Sequence, residues 1–129
     1  MKKISLAVLL GGMSMVYSLA FADMAFKSNV EVQGSWKLEY TKKSVNAEEM
    51  NKREDSWAFN GNLVTLTHIP REKIFYDQPP VPYVIEDGKL KISILGRPDK
   101  FDVFTLLEKD DKSMSLKGKF GDVYHFVKK

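Results

Sequence analysis

From Gly34 to the C-terminus, apolar and polar residues alternate in short bursts closed by turn-forming residues. The bursts recur roughly every 8–12 positions, the rhythm of an all-β sandwich or barrel. Trp36, Leu38 and Tyr40 share one face of a first strand, and Lys37, Glu39 and Thr41 the other, because successive side chains of a strand point to opposite sides. Trp57 and Phe59 repeat the alternation. Asn60-Gly61-Asn62 then tolerates the positive φ of a tight reversal, and residues 63–69 follow as a third strand. Residues 83–86 and 89–95 flank Asp87-Gly88, a strong hairpin signal, and Gly96-Arg97-Pro98-Asp99 predicts the next turn.

Residues 101–108 carry Phe101, Val103 and Leu107 on one face and Phe104 and Leu106 on the other, which predicts a strand covered on both sides. Asp110-Asp111-Lys112 leads into a strand over 113–117, and Gly121-Asp122 into a closing strand over 123–128. The pattern predicts an antiparallel up-and-down meander of seven to eight strands, with residues 73–76 a further short candidate.

Two segments interrupt the rhythm. Residues 44–54 carry the helix formers Ala47, Glu48, Glu49 and Met50 behind a Ser44 or Asn46 cap, predicting a short helix or flap between the first two strands. Residues 70–82 hold four of the five prolines, which lack the donor an interior strand needs, so this stretch is expected to be a semi-rigid loop. Residues 23–33 read as an N-terminal arm ahead of one barrel domain over 34–129.

The first 22 residues carry a different pattern. Lys2 and Lys3 precede an apolar run that ends in Ala20-Phe21-Ala22, the layout of a secretory leader cleaved after Ala22. An uncleaved anchor is the alternative, against which Gly11, Gly12, Ser14 and Ser18 dilute the run. The expectation is a periplasmic or secreted product without a stable membrane span. The precursor's formal charge of +3 loses both leader lysines and no acid on cleavage. A near-neutral chain lacks the electrostatic footprint of a nucleic-acid binder. With no cysteine, its stability must come from burial alone.

Gly34-Ser35-Trp36-Lys37-Leu38, just inside the expected mature start and opening a β meander, resembles the G-x-W signature of the lipocalin and calycin group. The resemblance implies an antiparallel up-and-down barrel whose tryptophan packs across the closed end, with a small apolar or amphipathic ligand held in the cup. In that group an arginine near the last strand stacks on the tryptophan; here the last strand offers His125, Lys128 and Lys129 instead.

Chemistry-bearing residues are few. His68 and His125 are the only histidines; by strand register each shares a face with valines and leucine, so the two are placed to meet inside the cup or to pack as core histidines. No metal-ligand spacing, Gly-x-Ser-x-Gly elbow or phosphate cradle is present, so no metal, cofactor or catalysis is expected. Trp36 and Trp57 are the candidate floor of a ligand site, and Tyr40, Phe59, Tyr83 and Phe104 its walls. Arg71 and Arg97 are candidate rim residues for an anionic group. The stretch from Pro70 to Tyr83 combines Arg71, Phe75 and Tyr76 with prolines, residue types that suit either a lid or a recognition surface. Two functions follow: an exported carrier of a hydrophobic or amphipathic small molecule, or an accessory subunit or inhibitor that docks on another exported protein through that stretch.

Overall fold

The computed structural model describes residues 24–129, so the leader and the cleavage point after Ala22 lie outside the described residues. The strands are β1 (Gly34–Lys42), β2 (Asn51–Lys52), β3 (Ser56–Asn60), β4 (Leu63–Thr67), β5 (Ile69–Arg71), β6 (Ile74–Tyr76), β7 (Val81–Glu86), β8 (Lys89–Ile94), β9 (Arg97–Lys109), β10 (Ser113–Lys117) and β11 (Val123–Lys128). Eight of them, β1, β3, β4 and β7 to β11, form an antiparallel meander that closes when β11 pairs back on β1. Closure removes the free edges an open sheet would expose.

Register follows from which side chains must leave water. Trp36 stands opposite Trp57 on β3 and Lys128 on β11, and Leu38 stands opposite Phe126. Trp36, Leu38, Leu90, Leu106, Met114, Leu116 and Phe126 are almost completely buried. Inside, the Trp57 ring lies 4.7 Å from Phe126 and 5.5 Å from Phe104, while Phe59 meets Tyr83 edge-on at 5.0 Å. Eight strands enclose just enough space for side chains or one small ligand, and rings of this size fill it with a packed aromatic column.

One end of the barrel is sealed by the arm. A 3-10 turn, Asn29–Val32, places the wholly buried Val32 under the barrel, where its carbonyl accepts the Trp36 indole N–H at 2.9 Å. Lys128 donates to the Gln33 carbonyl at 2.6 Å with its ammonium 4.4 Å from the Trp36 ring centre. Lysine thus takes the stacking place that the lipocalin resemblance gives to arginine. Gln33 donates to the Tyr83 hydroxyl at 2.6 Å, and that hydroxyl donates to Gly61 O at 2.7 Å. Burial pushes the Tyr83 phenol above its ordinary value, with the Gln33 and Asn29 hydrogen bonds opposing it. Met24 N–H bonds to Leu106 O and Phe26 N–H to Gly88 O, so the arm extends the wall beside β9 where β8 has ended. Gly88 permits both its turn and this approach: its φ is +76°, and a Cβ there would sit 2.8 Å from that of Ala25.

Three local expectations are corrected, and between the two readings of residues 44–54 the flap holds. Residues 44–50 contain a turn and no helix, because Val45 and Met50 are exposed and a segment this short has no apolar face to bury. It is a flap, tied down where β2 pairs with Tyr40 and Thr41. The proline-rich stretch is partly a hairpin, since β5 and β6 form their own two-stranded ladder whose exposed edges accept Pro70. The turn expected over 96–99 sits at Leu95-Gly96, with Arg97 and Pro98 already starting β9. Finally, β9 is covered on one face only: Phe104 and Leu106 are buried, whereas Phe101 is exposed and Val103 and Leu107 are half-buried.

Candidate functional site

The eleven candidate residues fall into four places. Trp36, Trp57, Phe59, Tyr83 and Phe104 come together in the buried column. Tyr40 and His125 meet on the outer wall, where their rings stack at 4.9 Å. His68, Arg71 and Tyr76 belong to the β5–β6 excursion, and Arg97 stands exposed at the start of β9. The two histidines do not meet in the cup. His68 has a φ of +57°, which turns the chain away from the barrel after β4, and the β1 bulge between Leu38 and Tyr40 sets His125 against Tyr40 outside.

On the outer wall, Ser115 Oγ lies 2.7 Å from His125 Nδ1, and Glu39 Oε1 lies 3.9 Å from His125 Nε2. A concavity of about 390 Å³ opens beside them, lined by Tyr40, Lys42, Val45, Leu107, Ser115 and Val123 among others. The trio has the residue types of a nucleophilic triad but lacks its supports. The Glu39 separation exceeds hydrogen-bonding reach. Ser115 sits mid-strand, paired with Glu108 on one side and His125 on the other, so its strand offers no free pair of N–H groups for an oxyanion. The hydroxyl holds the imidazole flat against Tyr40.

The β5–β6 hairpin is stiffened by its own contacts. The His68 ring lies on Phe75 at 3.9 Å with 10° between planes, Arg71 lies over Tyr76 at 5.2 Å, and the His68 N–H donates to Asp77 Oδ1 at 2.9 Å. Ile74 is 64% exposed and Phe75 50%. Glu72 has a φ of +55°, a left-handed conformation costly for a residue with a side chain.

This hairpin belongs to the end opposite the sealed one. Strand directions put the 43–50 flap, the 68–80 excursion, the Leu95-Gly96 turn and the 118–122 turn around the same rim. Val45, Met50, Ile74, Phe75, Leu95 and Phe120 are all exposed there, Phe120 at 84%. Beneath Phe120 is a pocket of about 110 Å³ lined by Asp102, Phe104, Lys119, Phe120, Asp122 and Tyr124 among others. Phe104 and Tyr124 meet edge-on at 5.4 Å and form its floor. Burial, and then the Asp122 carboxylate beside it, hold the Tyr124 phenol well above its ordinary value. Asp122 Oδ1 is buried without a hydrogen-bond partner. Nearby, Arg53 is occupied by a two-point ion pair with buried Asp55, at 2.9 and 2.8 Å.

Of the residues lining this pocket, the sequence pointed to Phe104, as a wall residue of the cup, and not to Phe120, Asp122 or Tyr124. The available signal was Phe120 itself, a large apolar residue in the turn between Gly118 and Gly121. Among the described residues no cluster of three or more His, Cys, Asp or Glu could hold a metal ion, and no helix is long and apolar enough to cross a membrane.

No family model matches the chain, and no curated protein matches it. Among solved structures, it is similar to an uncharacterized protein from Bacteroides eggerthii, with a TM-score of 0.59 and 15% sequence identity, over 75% of this chain and 98% of that one. At that identity the likeness concerns the fold: a second sequence takes up this small barrel with few residues in common.

Proposed function

We propose that this chain is a non-catalytic, exported binding protein that receives a small amphipathic ligand at the open rim of its lipocalin-like barrel. The observation that carries the reading is the set of exposed apolar side chains on the four connections of the open end. Val45, Met50, Ile74, Phe75, Leu95 and Phe120 stand there, six of the eleven large exposed hydrophobics among the described residues, whereas at the other end Val32 and Trp36 close the interior, with Met24, Val30 and Leu63 exposed around them. Unburied apolar side chains gathered in one region mark an interaction surface. The packed aromatic column favours the rim over the interior as the place of binding.

The test is a titration of the mature chain with chain-matched amphiphiles, read by tryptophan emission, since Trp57 lies against Phe104, the floor of the rim pocket. A saturable change that Phe120→Ala and Phe75→Ser diminish is expected; no change with any amphiphile removes the proposal. Export is tested by N-terminal sequencing of the native product, expected to begin at Asp23.

A second reading, docking on another exported protein, is favoured by one specific observation. The Phe75 and Tyr76 rings are already held by His68 and Arg71, so little conformational entropy remains to be lost on contact. Under that reading, the Ile74→Ser/Phe75→Ser pair abolishes co-purification of a defined partner with the melting temperature unchanged. Retained co-purification rules it out.

A further inference from the structure

We propose that the pocket between β9 and the 118–122 turn receives the ammonium head of an amphipathic amine, whose hydrocarbon part lies along the apolar rim. The inference specifies, and rests on, the rim-binding reading above. Size supplies the first argument: at about 110 Å³ the pocket is far below the roughly 300–1,000 Å³ of a site for a whole drug-sized molecule. It suits a head group, with the remainder of the ligand left outside.

Charge supplies the second. Two carboxylates, Asp102 and Asp122, line the pocket and give it negative charge, Asp122 also standing beside the Tyr124 phenol. A positively charged head group that carries N–H donors makes the stronger, charge-assisted contact with such carboxylates. The cations that face the pocket are Lys119, which lines it, and Arg53, whose charge reaches Tyr124 but whose guanidinium is engaged by Asp55.

Aromatic faces supply the third. Phe104 and Tyr124 form the floor, and Phe120 stands above it almost fully in solvent. A cation within about 6 Å of a ring centre is attracted to the ring's negative face. The chain already demonstrates this at the site, because Lys119 Nζ lies 5.2 Å from the Phe120 ring centre. Lys119 thus competes with an external ammonium for the Phe120 ring. Phe120 is carried on a turn that ends at Gly121, whose φ of +87° favours glycine.

The experiment is isothermal titration of the mature chain with decylammonium, decyl sulfate and decyl maltoside, each below its micelle concentration. The cation is expected to bind about tenfold or more tightly than the anionic and neutral amphiphiles. Asp102→Asn/Asp122→Asn is expected to erase that preference and leave maltoside binding unchanged, and Lys119→Met to tighten cation binding. Exposed Asp102→Asn alone, expected to reduce the preference, serves where the double variant fails to fold. Equal binding of the three amphiphiles, or a preference that survives loss of the carboxylates, overturns the ammonium assignment and leaves rim binding standing. Binding of none of them overturns both.

Discussion

Phe126→Ala tests whether the barrel is a packed scaffold. Phe126 is fully buried, stands opposite Leu38 and Met114 on its two neighbouring strands, and holds its ring 4.7 Å from that of Trp57. Truncation forfeits about 2–3 kcal/mol of apolar transfer energy. It also loses roughly 1 kcal/mol of edge-on ring contact. A residual void of about 50 Å³ adds roughly 1 kcal/mol at ~24 cal/mol per Å³. The total is about 4–5 kcal/mol, within the range for large-to-small changes at closed core sites. For a domain of this size that lowers the melting temperature by on the order of 20 °C. Urea unfolding followed by tryptophan emission reads the loss directly. A void of that size stays dry and is too small for benzene or indole, so neither the variant nor the parent chain is expected to take up such a probe in its interior. A cost below about 1.5 kcal/mol, or saturable uptake of the apolar probe within the barrel of the unmodified chain, would refute the filled-barrel reasoning.

Three further outcomes follow. Lys128→Met should cost about 1 kcal/mol through the lost contact with Trp36, and Lys128→Arg should restore it, as read by urea midpoints at fixed slope. Arg53→Ala strands the Asp55 carboxylate, which is 2% exposed, and should destabilise by about 3 kcal/mol; Arg53→Ala/Asp55→Ala should recover part of that loss in a double-mutant cycle. The Tyr124 phenol is raised above its ordinary value of 10.0 by burial first and Asp122 second. Its contribution is fully present below pH 10 and is lost as pH rises toward the folded-state value, so alkaline unfolding should be shallower in Tyr124→Phe.

The fold was legible because its signals are local. Period-two alternation around Trp36, Trp57 and Phe104 shows which side chains leave water, and Asp87-Gly88 shows where the chain reverses, with φ of +56° and +76° as such a turn requires. The site was less legible because its residues meet only after closure. Phe104 and Tyr124 come from strands separated by β10, and nothing in the chain order of either announces the other. Composition also misled at Pro70, where proline argues against an interior strand but not against a two-stranded excursion with exposed edges. His68 was misplaced because a left-handed φ at a non-glycine residue leaves little trace in sequence.

The seal at the closed end also sets an orientation. Met24 is fastened to Leu106 and Lys129 to Ser35, so both ends of the described chain emerge from the same pole of the barrel. A fusion partner, affinity tag or surface tether joined at either end therefore leaves the opposite pole unobstructed. Immobilised this way, the molecule presents its loops outward to whatever flows past.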